Sequence, residues 1–284
     1  MKDYKRLAIF GFKDKGGLGL STAMIAIITV LRAIGEGEAA FEVCAIDADG
    51  FNGSLTQRLA ERDPQGKVLA EQNPVVGVAK ADLFMRDGAG PIFEAVESAA
   101  RVVVVDTPAG GLTQIDKMSE SLSARDLVQH CLDNDRKPVV LVPFGPGIAT
   151  IRGVGSAIDR FGPDAQIVAA RTTFGVMDHD YRLWSTEPLI DRYGRTVGGQ
   201  VRRKFENAGG RLIDMPTCPA GPNALAEALS LSYRDAVTYK GAGWRQFHGL
   251  NIRNWLNLWA KQLGTNADVL GMQDVDWNVL WEAR

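Results

Sequence analysis

The sequence predicts an α/β fold in which a mostly parallel sheet carries helices on both faces, followed by a helical C-terminal appendage. Short apolar runs alternate with longer helical patterns through the first 215 residues, which is typical of βαβ units. The runs are almost continuously apolar, as expected of strands that are buried on both faces. Beyond about residue 230 these runs disappear and tryptophans accumulate at helical spacing.

Each element follows from this pattern in chain order. Five runs are predicted as strands, at residues 7–12, 41–46, 102–105, 139–142 and 166–170. A sixth run, Arg211–Met215, ends at a proline and is a weaker strand prediction. The helical patterns between the runs lie at residues 21–33, 54–61, 116–132 and 151–161. We therefore expect an α/β domain over residues 1–235 and a tryptophan-rich extension over residues 236–284.

The composition is that of an ordinary soluble protein, with 45% hydrophobic and 23% charged residues. The formal net charge of −2 excludes a chain that binds polyanions over its whole surface, so a DNA contact would need a local basic patch. Three cysteines, odd in number and far apart, favour reduced thiols and a cytoplasmic protein. The longest apolar stretch is far shorter than the roughly 20 residues of a membrane span.

An apolar stripe with two tryptophans is predicted on a helix of the C-terminal extension. Ile252, Trp255, Leu256, Trp259 and Leu263 recur at the spacing of one helix face. This stripe has two interpretations: it packs on the core of the domain, or it forms an exposed surface for a partner or a dimer. A membrane-anchoring helix is disfavoured because the predicted helix carries few basic residues.

A glycine-rich turn connects the first predicted strand to the first predicted helix. It reads Lys15, Gly16, Gly17, Leu18, Gly19, Leu20, Ser21 and Thr22. Glycines let the backbone N–H groups turn inward, and the following helix presents its positive end, so this turn predicts a phosphate-binding loop. A tight turn without a ligand is the alternative. A dinucleotide-binding motif is disfavoured, because the next acidic residues come about 30 positions after Gly17 instead of about 20.

The turn resembles the deviant Walker A motif, KGGxGK[ST][ST], of the ParA/MinD group of P-loop ATPases. Two further segments are similar to motifs of that group. Asp47 and Asp49 resemble its switch I D-x-D, and residues 102–108, VVVVDTP, resemble its Walker B and switch II with Asp106. The three motifs occur in the family's order at the ends of three predicted strands, and the resemblance covers roughly residues 5–235.

This resemblance implies that the chain uses ATP and Mg²⁺ as cofactors. Lys15 matches the family's signature lysine, which acts across a dimer, and Asp49 matches an aspartate that positions the attacking water. The resemblance further implies that the nucleotide binds residues Gly16 to Thr22 and that Ser21, Asp47 and Asp106 serve the metal. Carboxylate and hydroxyl oxygens are ligands that Mg²⁺ prefers.

Two positions depart from the family pattern. The family's second lysine is replaced by Leu20, which removes a charge-assisted phosphate contact of about 1.5–3 kcal/mol. Lys13 could compensate in part, and Leu20→Lys is expected to raise nucleotide affinity. At Arg171, in the segment where the family usually has an asparagine that reads the base, the resemblance gives no support for adenine specificity.

A basic segment lies between residues 182 and 211, and Arg202, Arg203 and Lys204 are its densest part. It is either a solvated helix face or a surface that binds DNA without sequence preference, as in the ParA branch. The resemblance implies a nucleotide-dependent homodimeric switch that positions or partitions DNA, in plasmid maintenance or conjugative transfer, or a large complex through a protein partner or cargo adaptor. The alternative, favoured by Leu20, is a pseudo-ATPase scaffold or regulatory subunit, and any ATPase activity would be weak.

Overall fold

A computed structural model describes residues 4–36, 41–49, 53–85, 88–114, 123–185, 189–278 and 281. The strands are β1 Arg6–Lys13, β2 Val43–Asp47, β3 Ala79–Lys80, β4 Val102–Ala109, β5 Arg136–Phe144, β6 Gln166–Thr172, β7 Leu189–Ile190, β8 Thr196–Val197 and β9 Arg211–Met215. Seven of them form one sheet in the order β3-β2-β4-β1-β5-β6-β9, with every neighbouring pair parallel. Strands β7 and β8 form a separate antiparallel hairpin.

Helices cover both faces of this sheet, as the sequence predicts. They are α1 Leu20–Ile34, α2 Ser54–Leu59, α3 Gly90–Glu97, α4 Gly111–Gln114, α5 Ala124–Asp133, α6 Ile148–Phe161, α7 Gln200–Asn207, α8 Ala220–Ala228, α9 Tyr233–Thr238, α10 Gln246–Thr265 and α11 Ala267–Leu270, with a 3-10 helix at Asp178–Leu183. One hydrophobic core lies between the sheet and α1, α8, α9 and α10. A second core lies between the opposite face and α3, α5, α6 and α7.

The central strands are buried on both faces. Leu7 and Ile9 of β1 belong to the core shared with α1, whereas Ala8 and Phe10 belong to the core shared with α5 and α6. Successive side chains of a strand point to opposite faces, so a strand between two helical layers needs apolar residues at every position. This requirement explains why the central parts of β1, β4 and β5, at residues 7–10, 102–105 and 139–142, are continuously apolar.

The six predicted strands are confirmed, with shifts at their ends. Strand β1 extends one residue further, to Lys13, and β2 begins at Val43. The helix expected over residues 116–132 is observed as Ala124–Asp133, and residues 116–122 lie outside the described part of the chain. The β7–β8 hairpin was not predicted, because each of its strands has only two residues, and α7 was not predicted although Val201 and Phe205 lie one turn apart on it.

The tryptophan-rich extension packs against α1. Trp255 is 3% exposed and Trp259 is fully buried in the core between the sheet and α1, which confirms the core interpretation of this stripe. The Trp255 indole N–H donates to the Pro216 carbonyl at 2.9 Å and so ties α10 to the end of β9. Across the described residues, no helix combines the length and apolar character needed to cross a membrane.

Candidate functional site

The glycine-rich loop, residues 14–19, follows β1, the strand from which the chain adds strands first on one side of the sheet and later on the other. Strand β1 sits between β4 and β5, and the chain runs from β1 towards β2 on one side before crossing to β5 on the other. Ligands of open α/β sheets bind at such switch points, outside the carboxyl ends of the strands. The predicted phosphate loop therefore occupies the position where a ligand site is expected.

The backbone of the loop requires glycine at two positions. Gly17 has φ of 80° and Gly19 has φ of 74°, which are left-handed values that other residues rarely adopt. Gly19 immediately precedes the first residue of α1. The loop therefore places its free N–H groups and the positive end of a 15-residue helix in one region, which favours an anion.

Asp106, near the end of β4, lies beneath this loop. It is 1% exposed, and within the described residues neither of its carboxylate oxygens makes a hydrogen bond of good geometry, although the Ser21 hydroxyl and the Lys13 ammonium lie close enough to favour its charged form. Burial raises the pKa of Asp106 to about 7, and the Lys13 ammonium and the Ser21 hydroxyl partly oppose that rise. In the sheet, Asp106 is directly opposite Gly11 of β1 and Asp47 of β2. A buried carboxylate without partners is costly, so this one is a candidate ligand for a cation.

Lys13 and Ser21 meet next to Asp106. The Lys13 ammonium donates to the Ser21 hydroxyl at 3.1 Å, which brings the end of β1 to the first turn of α1. Asp14, the next residue, turns towards α6 and Arg160 instead, and burial raises its pKa. Lys15 is exposed on the loop. The two lysines that flank Asp14 therefore have different environments, one directed inward and one facing solvent.

Asp47 joins the end of β2 to the start of α2. Its carboxylate accepts hydrogen bonds from the Thr56 backbone N–H at 2.8 Å, the Thr56 hydroxyl at 2.9 Å and the Asp49 backbone N–H at 3.2 Å. Burial raises the pKa of Asp47, and the bonds from Thr56 oppose that effect. Asp49 is half-buried beside it. Asp47 is therefore already committed to positioning these segments, unlike Asp106.

Leu20 occupies the position of the missing lysine, and its side chain lies in the core. It is 1% exposed and belongs to the core between the sheet and α1. A Cβ atom on Gly11 would lie 3.1 Å from Leu20 Cδ1 and 3.0 Å from the Met24 sulfur, so these three residues are closely packed. Only the backbone of Leu20 is suited to contact a phosphate.

The residues below the loop fit Mg²⁺. This ion takes oxygen ligands, keeps several waters and is commonly bound by one or two protein side chains together with phosphates. Asp106 offers two unpartnered oxygens and Ser21 a hydroxyl beside it. In the described ranges, no group of three or more His, Cys, Asp or Glu side chains could hold a metal by itself. The donor set therefore suits a metal that arrives with phosphate oxygens.

A cavity of about 320 Å³ opens beside the loop, between the ends of β6 and β9. Its walls include Gly17, Gly19, Thr22, Thr172, Thr173, Phe174, Pro216, Thr217, Cys218, Trp255 and Trp259. Arg171 is not among its lining residues, and its guanidinium pairs with Asp214 at 2.7 Å and with Asp178 at 2.8 Å. Gly17, Gly19 and Thr22 are predicted binding residues, whereas the walls at the ends of β6 and β9 were not predicted, although the ends of two parallel strands beside a phosphate loop are a signal that indicates them.

The basic segment on α7 is partly neutralised. Arg202 pairs with Glu206 at 2.8 Å, and Lys204 pairs with Asp159 at 2.5 Å. Arg203 is exposed and has no ion pair with any residue that the structure describes. Of the three predicted DNA-binding side chains, Arg203 is therefore the one whose charge is fully presented to solvent.

No protein-family model matches this sequence, and no curated protein matches it. Among solved structures, it is similar to a chain of the MinC:MinD cell division protein complex of Aquifex aeolicus, with 14% sequence identity and a TM-score of 0.42. The alignment covers 89% of this chain and 95% of that one. A likeness at this level carries no information about the function of the present chain.

Proposed function

We propose that this chain binds a nucleoside triphosphate with Mg²⁺ at the glycine-rich loop and acts as a dimeric, nucleotide-dependent switch of the ParA/MinD type. The observation that carries the proposal is Asp106, a buried carboxylate whose oxygens make no hydrogen bond of good geometry with the described residues and which lies beside Ser21 and Lys13, near a loop with two left-handed glycines. Such a group is destabilising unless a cation or a proton satisfies it. A site for a metal–phosphate ligand explains why the fold retains it.

Some residues of the site would bind the nucleotide and the metal, and others would position the segments and the water around them. Loop backbone amides from Gly16 to Thr22 would bind the phosphates, and Ser21 and Asp106 would hold Mg²⁺. When bound, Mg²⁺ neutralises charge that develops on the transferred phosphoryl group. Asp47 keeps the end of β2 in place through its three hydrogen bonds. Asp49, next to it, would orient a water for slow hydrolysis.

The cavity beside the loop is suited to the nucleotide base. Its volume of about 320 Å³ fits a planar ring system, and its walls combine an aromatic ring, threonine hydroxyls and backbone at the ends of β6 and β9. Phe174 is 70% exposed at its rim, where a base could stack on it. Since the Arg171 guanidinium is held by two carboxylates, it is not free to read the base.

Nucleotide-dependent dimer formation is the simplest test of the proposed switch, and Lys15 is the residue to replace. This lysine is exposed on the loop, as a residue that contacts phosphates of a second subunit would be. We expect ATP with Mg²⁺ to convert the wild type to a dimer in light scattering, and Lys15→Ala to stay folded and monomeric. Lys67→Ala, at another exposed lysine, should dimerise normally. A Lys15→Ala variant that dimerises as well as the wild type would contradict a role across the interface.

We further propose that the basic segment on α7 binds DNA, and the exposed side chain of Arg203 supports this. Replacing Arg202, Arg203 and Lys204 together by Glu should abolish a mobility shift of duplex DNA at low salt, because phosphate contacts dominate such binding. Arg203→Glu alone should cause most of the loss, since its neighbours are already paired. Lys240→Glu is the control at an exposed site. An unchanged shift in the triple variant would reduce the segment to a solvated helix face.

The second candidate is a scaffold or regulatory subunit without hydrolysis, and the burial of Leu20 favours it. In that case the chain would bind a protein partner or cargo adaptor through a fold that no longer cycles. Binding of nucleotide without turnover or dimer formation would favour this candidate over the switch.

A further inference from the structure

We propose that Lys13 supplies, from within the same subunit, the positive charge to the nucleotide phosphates that Leu20 cannot supply. This inference rests on the proposed function and assigns a residue to it. It concerns the residue at the end of β1, two positions ahead of the lysine that matches the signature of the resembled family.

The backbone holds Lys13 in a defined place. The register of β1 against β4 shifts between Gly11 and Lys13, so that Lys13 is opposite Ala109. Its carbonyl accepts a hydrogen bond from the Gly110 N–H at 2.9 Å. The irregularity lets the last residue of the strand turn its side chain towards the start of α1, where its ammonium reaches Ser21. Lys13 is therefore fixed at both ends.

The Lys13 ammonium has N–H donors available for a phosphate. A lysine ammonium carries three N–H donors, and the contact with the Ser21 hydroxyl uses one of them. Asp106 is near enough for its pKa to respond to the Lys13 charge, yet neither of its oxygens is hydrogen-bonded. Lys13 therefore does not form a hydrogen-bonded ion pair with Asp106. Its charge lies beside the N-terminus of α1, where an anion is favoured.

The other candidate cations are less suited to this role. Lys15 is exposed on the outside of the loop, and the guanidinium of Arg171 is paired with two aspartates. The side chain of Leu20 is apolar and buried. Among these positions, Lys13 alone combines a charge with an inward direction.

The test compares Lys13→Met with the matched variant Lys15→Met, since methionine keeps most of the side-chain length and removes the charge. Calorimetric titrations with ADP and with adenosine separate phosphate contacts from base contacts, and ADP avoids nucleotide-driven dimers. Lys13→Met should weaken ADP binding by about 10- to 100-fold, as expected for a lost charge-assisted contact, while adenosine binding changes little. Lys15→Met should change ADP binding by less than about threefold, and Lys13→Arg, which keeps the charge with a different shape, should lose less affinity than Lys13→Met.

A labelling experiment on the wild type gives the same answer without a variant, should Lys13→Met fail to fold. Bound ADP should protect Lys13 from acetylation by N-hydroxysuccinimide acetate, measured by mass spectrometry, much more than it protects Lys15. Equal protection of both lysines, equal ADP affinity of Lys13→Met and wild type, or parallel losses of ADP and adenosine would each overturn the inference and leave the proposed function in place. A wild type that binds no ADP or ATP at millimolar concentration would overturn the proposed function itself.

Discussion

Asp106→Asn is expected to raise the free energy of unfolding at pH 8 by about 2–4 kcal/mol, because it removes a charge that the folded protein buries without a partner. The folded chain keeps a proton on this carboxyl up to about pH 7, whereas the unfolded chain loses it near its ordinary value of 3.8. Between those values the folded state binds more protons than the unfolded state, so the stability of the wild type falls as the pH rises. The variant lacks the contribution of Asp106 to this dependence.

Urea unfolding of both proteins from pH 4 to pH 8 measures the effect. The difference in unfolding free energy should be small at pH 4, grow through the window and level off above about pH 7. Curves that stay parallel over the whole range would show that Asp106 is not a buried, unpartnered acid. Asp106→Asn should also lose Mg²⁺-dependent nucleotide binding. The substitution would then stabilise the fold at the expense of function.

Leu20→Lys is expected to lower the free energy of unfolding by about 2–5 kcal/mol. The substitution removes an apolar side chain from a site that is 1% exposed and packed against Met24, and it places an ammonium there. The gain in nucleotide affinity that the family pattern predicts would require the new ammonium to leave this packed environment. Restoring the family's second lysine should therefore harm the fold before it helps binding.

Leu20→Met is the matched control, because it keeps the volume and apolar character of the side chain and should cost less than about 1.5 kcal/mol. Urea denaturation without nucleotide compares the three proteins. If Leu20→Lys is as stable as the wild type, the side chain at this position is not held in the core, and burial does not explain why a lysine is absent there.

Much of the fold could be predicted from the sequence because the sheet is covered on both faces. Strands such as β4, Val102–Ala109, then begin with a continuous apolar run, here residues 102–105, and such runs are visible without an alignment. The phosphate loop was equally visible, since left-handed backbone at Gly17 and Gly19 requires glycine. Parallel strands also place Asp47 and Asp106 at one edge, so their proximity followed from the strand assignments.

The chemistry within the site could not be predicted in the same way. Nothing in the residue order distinguishes Asp47, whose carboxylate accepts three hydrogen bonds, from Asp106, whose oxygens have none among the described residues. The inward direction of Lys13 depends on the register shift of β1, which is a property of strand pairing. The burial of Leu20 depends on how closely α1 approaches Gly11. These features arise from tertiary packing, which single-sequence patterns do not encode.

Calorimetric titration of the wild type with ATP, in the presence and absence of Mg²⁺, measures whether the glycine-rich loop binds a nucleotide together with the metal. We expect saturable binding of one nucleotide per chain with a Kd below about 1 mM. We also expect the affinity to weaken severalfold when Mg²⁺ is withheld or when Ser21 is replaced by Ala. If ATP, ADP and GTP all fail to bind at millimolar concentration, the glycine-rich loop is a strand-to-helix turn without a ligand, and the proposed function is wrong.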